Sequence, residues 1–140
     1  MGWDKDTWRK NVSVMLFDMG SIEFQKFSWN INNENIQGSF VELITNIEDY
    51  VIPEGLPEFL RLGFVSEDEK ENLESLSDKI DVFYDELGKD LNKPHEEIWV
   101  HPTWISISRF AASIFLASFK EDFIREERYQ NWFKRWHLSK

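Results

Sequence analysis

No cysteine occurs in the 140 residues. Disulfides, thiolate metal sites and cysteine nucleophiles are therefore excluded, and a domain built without disulfides suits a reducing cytoplasm. The 6 glycines are scattered, so no phosphate-cradling loop is present, and the 4 prolines punctuate helices instead of forming a Pro-rich linker. No Gly-x-Ser-x-Gly elbow exists to expose a nucleophilic serine. No apolar run is long enough to span a bilayer: the least charged stretch, Ile98 to Phe119, contains Arg109 and four serines and reads as a buried core helix. The opening Met1 to Asp6 has no basic segment leading into an apolar one, so no signal peptide is expected. With no internal repeat or linker, residues 1–140 are expected to form one domain.

Basic charge is scarce as well. Against 26 Asp and Glu there are 16 Lys and Arg, a net of −10, and the imbalance is concentrated. Residues 34–97 carry 18 acids and 5 bases, residues 1–33 are balanced, and residues 98–140 are net +3. A central acidic field repels nucleic acid and anionic membrane and speeds encounter with a basic partner. Apolar residues make up 41% and aromatics 16%, far more than a disordered acidic chain carries, so the domain should bury a substantial core.

Apolar spacing points to helices throughout. Trp8, Val12, Met15, Leu16 and Met19 share one face of a first helix, which Gly20 and Ser21 interrupt. Ser21 can cap a short second helix carrying Ile22, Phe24, Phe27 and Trp29. The Asn-rich stretch Asn30 to Gly38 is a loop. Ser39 to Glu42 is a capping box that opens a helix with Phe40, Ile44, Ile47 and Val51 on its buried side, ended by Pro53, Gly55 and Pro57. A short turn around Phe59 and Leu60 follows. Ser66 to Glu69 is a second capping box, and the helix it opens carries the stripe Leu73, Leu76, Ile80, Phe83 and Leu87 up to a stop at Gly88. Residues 89–100 are expected to be a loop with a short extended Ile98-Trp99-Val100. Pro102 then starts a helix with Trp104, Ile107, Ala111, Ile114, Phe115 and Ser118 in phase, whose small residues Ala111, Ala112, Ser113 and Ala117 allow another helix to approach closely. A last helix, about 121–136, carries Phe123, Ile124, Trp132, Phe133 and Trp136. The expected fold is all-α, a single-domain bundle of about five to six helices with at most one or two very short strands.

One helix face stands out. Glu67, Glu71, Glu74, Asp78 and Asp85 recur at helical spacing opposite the apolar stripe, with Asp81 beside them and Val82 among them, so Val82 should be exposed. Within residues 73–88 Lys79 is the only cation. Like charges one turn apart cost stability, which a basic partner would relieve. Such a face is also what an ordinary solvated helix presents. Other constellations carry less. His95, Glu96, Glu97 and His101 cluster in sequence, but their spacing matches no helical metal motif, and a loop histidine and an N-cap histidine account for them. Trp99 and Trp104 should pack beneath the central helix, whereas Trp3, Trp136 and His137 are candidates for exposure. The basic end, Arg125, Arg128, Lys134, Arg135 and Lys140, is suited to neutralising the acidic helix. No metal or other cofactor is expected.

Leu16 with Gln25 and Trp29, the acidic helix led in by Phe64-Val65-Ser66-Glu67-Asp68-Glu69, and His101-Pro102-x-Trp104 followed by Ala111 and Ala112 occur in an order that resembles a family of small acidic helical bacterial proteins. Some members are thought to be immunity proteins that accompany toxins of polymorphic or contact-dependent inhibition systems. The resemblance covers roughly residues 12–119 and implies no catalytic residues. It departs from the family in loop lengths and in the Trp-rich basic end.

The expected function is that of a cytoplasmic, non-enzymatic immunity protein that neutralises a cognate toxin domain, a nuclease by preference, through Glu67, Glu71, Glu74, Asp78, Val82 and Asp85. An adaptor that binds a basic protein outside any toxin system would need the same surface. A hydrolase using buried carboxylates or the His95 and His101 pair is the third class, and it predicts bound metal or loss of activity on changing His101.

Overall fold

The computed structural model describes residues 4–29, 40–51, 54–90 and 93–123. Among them the chain is helical with no strand, in the order α1 (Lys5–Gly20), α2 (Ile22–Ser28), α3 (Phe40–Tyr50), α4 (Leu56–Arg61), α5 (Glu67–Glu86), α6 (His95–Trp99), α7 (Pro102–Ile114) and α8 (Lys120–Phe123). A π-helical turn, Phe115–Phe119, joins α7 to α8 without a break.

α1 is the axis of the bundle. Asp4 caps it by accepting from the Thr7 backbone N–H at 2.9 Å. Its second half is buried nearly all round, with Phe17 and Ser13 added to the predicted stripe, because α2, α3, α7, the π turn and α8 all pack on it. Ser21 ends α1 and starts α2 by accepting from the Phe24 N–H at 3.1 Å, as its position implied. The closest approach is between α1 and α7. A Cβ on Gly20 would lie 2.9 Å from the Ala112 Cα, so these two helices touch backbone to backbone. The predicted small-residue contact is made by Ala111 and Ala112, whereas Ser113 and Ala117 face solvent.

α5 and α7 run antiparallel. The Thr103 hydroxyl donates to Glu86 at 2.8 Å at one end, and the Lys79 ammonium lies 5.3 Å from the Phe110 ring further along. Leu73, Leu76, Ile80 and Phe83 face the core, and Trp104 stacks on Phe83 with centroids 5.6 Å apart. Past the end of α5, Gly88 takes φ +68°, where only glycine is unstrained, and the chain turns there.

Three expectations need correction. Within the stretch expected as a loop, residues 95–99 form a helical turn, so Ile98 and Trp99 are not extended: Pro94 leads in, and the Glu97 and Ile98 N–H groups both donate to its carbonyl. The helix expected to begin at about 121 is not separate at its start: α7 continues through the π turn into α8. The short turn around Phe59 is a full helix, α4, closed by Gly63 at φ +79°. The capping residue Ser39, the Asn-rich loop, Trp3, Pro53, His137 and the last helix beyond Phe123 lie outside the described residues.

Replacing Gly20 by Ala should test the axis. In a free helix the change is worth about 1 kcal/mol in favour of Ala. Here the added methyl meets Ala112 backbone, and overpacking of this kind costs ~1–3 kcal/mol. The methyl would meet backbone atoms, which cannot swing aside, so the cost falls at about 2–3 kcal/mol and urea denaturation should show a net loss of about 1–2 kcal/mol. A variant as stable as the wild type would mean that α1 and α7 separate freely.

Candidate functional site

The acidic face lies where its spacing placed it. Glu67, Glu71, Asp78, Asp81 and Asp85 are exposed along α5, and Val82 among them is 56% exposed, the most exposed apolar side chain of any helix interior described. The face is not uniform. The Lys70 ammonium pairs with Glu74 at 3.0 Å, and Glu74 is accordingly half-buried. That pair, with the charges of Glu67 and Glu71, holds the Lys70 ammonium above its ordinary value. Lys70 stands one turn before Glu74, so the pairing was readable in the sequence; counting cations only over residues 73–88 missed it. The second half differs. Lys79 turns aside to the Phe110 ring of α7, and no ion pair among the described residues engages Asp78, Asp81 or Asp85. The uncompensated field is therefore strongest around Val82.

The helix that carries this face is anchored at its N-terminus by a group that spacing alone had not marked. Arg9 of α1 is 12% exposed and uses all of its donor directions. Its Nη1 donates to Glu69 Oε1 at 3.0 Å and to the Phe64 carbonyl at 2.8 Å. Its Nη2 donates to Glu69 Oε2 at 3.1 Å and to the Ser118 carbonyl at 2.8 Å. Nε donates to Asp122 Oδ2 at 3.2 Å, and the guanidinium lies 4.4 Å from the Phe119 ring centroid. Glu69 also closes the capping box: its Oε1 accepts from the Ser66 N–H at 2.8 Å, while the Ser66 hydroxyl accepts from the Glu69 N–H at 3.2 Å. One carboxylate thus caps α5 and fixes it to α1. Burial alone would push Glu69 up, but Arg9 and the Ser66 N–H outweigh it and hold the carboxyl below its ordinary value. Burial likewise works against the Arg9 charge, yet Glu69 and Asp122 raise it on balance. Arg9 stands three residues before Val12 and seven before Leu16, in line with the apolar stripe of α1, and an arginine in that register is the sequence sign of a buried ion pair. The shallow cleft over this cluster, of about 540 Å³, is lined by Lys5, Gly63 and Glu121 beside Arg9, Glu69 and Asp122. Because every guanidinium donor is already taken within the protein, Arg9 holds the fold together here.

The histidines are separately employed. His101 caps α7, its Nδ1 accepting from the Thr103 N–H at 3.2 Å, and its Nε2 faces Glu86 at 3.7 Å. His95, expected in a loop, opens α6 and packs on Trp29 with centroids 4.9 Å apart. Among the described residues no three His, Asp or Glu side chains converge as metal ligands. Gln25 and Trp104 meet in the core: the Trp104 indole donates to Gln25 Oε1 at 3.0 Å, and the Gln25 amide donates to the Asp18 and Met19 carbonyls at 2.7 and 3.0 Å. This joins α7 and α2 to the end of α1. Among the described residues no helix is long and apolar enough to cross a membrane.

No family model, curated protein or solved structure matches the chain.

Removing one member of a buried ion pair leaves the other charged and desolvated, at a cost of ~3–5 kcal/mol. Arg9→Met should show a loss of this size in chemical denaturation, and Arg9→Lys should recover little of it, because an ammonium cannot serve the fork of Glu69 and the flanking carbonyls. The pH dependence follows from Glu69. Its stabilising contribution is complete above the ordinary glutamate range and is lost as pH falls through its lowered value, so Arg9→Met should flatten the acid limb of stability against pH. A wild-type acid limb unchanged by the substitution would place the titrating group elsewhere.

Proposed function

We propose that this chain is a binding protein of the immunity type, which neutralises a toxin domain by docking a basic surface of it against α5. One observation carries the proposal: Asp78, Asp81 and Asp85 surround the exposed Val82 on a rigid helix, with no cation among the described residues set against them. Adjacent like charges destabilise a helix by ~0.2–0.5 kcal/mol per pair, and the fold leaves that cost in place. A basic partner removes it. The uncompensated field also accelerates association, and Val82 supplies an apolar contact at its centre. Glu67, Glu71 and Glu74 extend the surface, with Glu74 already partly neutralised by Lys70. A toxin that cleaves nucleic acid has a basic cleft, and a rigid row of carboxylates can occupy it as phosphates would. The Gln25, Trp29 and His101-Pro102-x-Trp104 pattern resembles small acidic helical bacterial proteins, some of which are thought to be immunity proteins, and this supports the same reading; such a protein would act in the cytoplasm.

The test is charge reversal in the folded protein. Asp78→Lys, Asp81→Lys and Asp85→Lys together alter only exposed side chains and should leave the helical circular dichroism unchanged. In a pull-down from the source strain, the wild type should recover a basic polypeptide at low salt and less of it at high salt. The triple variant should recover none, and its association rate with the recovered polypeptide should fall at least tenfold. Equal recovery by both proteins would rule this surface out. A recovered partner that does not harm cells when expressed alone would make the chain an adaptor and not an immunity protein.

A further inference from the structure

Four buried side-chain polar atoms have no hydrogen-bond partner among the described residues: Asp18 Oδ1, Ser28 Oγ, Trp29 Nε1 and Trp99 Nε1. All belong to the end of α1, the end of α2 and α6. Buried polar groups are nearly always bonded, so four orphans in neighbouring elements call for an explanation. Two of them face each other. The Trp29 indole N–H lies close enough to the Asp18 carboxyl to favour its ionised form, yet no bond is closed between them. The other side of Trp29 is the seat of α6: the Trp99 ring stacks on it at 5.9 Å, and His95 packs on it at 4.9 Å. α6 is only five residues long, and among the described residues these two rings, the buried Ile98 and the Lys26 contact to Trp99 help hold it to the bundle.

We propose that Asp18, Trp29 and the α6 side chains His95 and Trp99 form a proton-responsive joint. With Asp18 neutral, Trp29 stays seated against α6. When Asp18 loses its proton, the carboxylate draws the indole N–H into a charge-assisted bond, and α6 loses part of its seat. The charged groups around the joint set its direction. Among the described residues, Glu42 of α3 adds a like charge to Asp18. Lys26 of α2 lies 5.9 Å from the Trp99 ring centroid, and Glu96 of α6 acts on His95. α7 contributes the neutral Trp104, 6.3 Å from the Trp29 ring. Burial, opposed by the indole and reinforced by Glu42, lifts the Asp18 carboxyl to about 7, whereas burial holds His95 below its ordinary value despite Glu96. Burial thus favours the neutral imidazole of His95. Because the folded state holds the Asp18 proton more tightly than the unfolded chain, this group's contribution to stability is full at acid pH and disappears as pH rises through about 7.

The experiment uses the full chain labelled with nitrogen-15. Between pH 5 and 9 the Trp29 indole N–H resonance should move with a midpoint near 7. Amide protection of residues 95–99, corrected for intrinsic exchange, should fall at least tenfold over the same range. Asp18→Asn should hold the resonance still and keep protection at its acid level throughout. A Trp29 resonance that does not move, that moves equally in Asp18→Asn, or that moves without loss of α6 protection overturns the joint. Glu42→Gln changes an exposed residue and does not depend on Asp18→Asn folding. It should lower the midpoint by about half a pH unit, and an unchanged midpoint also counts against the proposal.

Discussion

The salt bridge between Arg9 and Glu69 is the constraint on which the arrangement of helices rests. A guanidinium carried into the interior must have every donor met, and here that requirement fixes two stretches of chain, residues 64–69 and 118–122, at two points each. The Phe64 carbonyl, the first turn of α5, the Ser118 carbonyl and Asp122 must all arrive within hydrogen-bond reach of one side chain of α1. A bidentate carboxylate defines an orientation as well as a distance. The direction in which α5 leaves α1 is thereby set, and with it the direction in which the acidic face points. Since Glu69 is also the partner of Ser66 in the capping box, the start of α5 and its attachment to the bundle are one structure, not two.

Much of this was legible in the chain before any coordinates. The stripe Leu73, Leu76, Ile80 and Phe83, the caps at Ser21 and Ser66, and the exposure of Val82 follow from periodicity and local hydrogen-bond chemistry, which act over a few residues. Long-range features were harder to see. Gly20 reads as a helix breaker, yet it is the point at which α1 meets Ala112, some ninety residues away in sequence. Arg9 reads as a surface cation unless its register with Val12 and Leu16 is noticed. Ile98-Trp99-Val100 is an apolar, β-branched and aromatic triplet that favours a strand by composition, but Pro94 and the packing of His95 and Trp99 on Trp29 draw Ile98 and Trp99 into a helical turn. In each case tertiary contact overrode a local preference.

The acidic face shows how far a candidate site can be read from spacing alone. The row of carboxylates was visible, but its internal division was not. Lys70 quiets the first half, and Lys79, drawn to Phe110, leaves the second half uncompensated. The division arises because a cation on a helix surface can reach either along its own helix or across to the next one, and only the packing of α7 decides which. The uncompensated charge is thus concentrated in two turns of α5 and not spread along its whole length.

The π turn at Phe115–Phe119 has a consequence for how this chain can vary. A helix with one extra residue in a turn is out of phase with a uniform helix, and removing a residue there rotates everything downstream by about 100°. Phe119 would swing from beneath the Arg9 guanidinium and Asp122 from beside it, while the exposed Leu116 and Ala117 tolerate exchange of their side chains. This segment therefore behaves as a gear tooth: its outer positions, Leu116 and Ala117, are open to drift, but the number of residues in it is locked to a charge buried at the other end of the sequence.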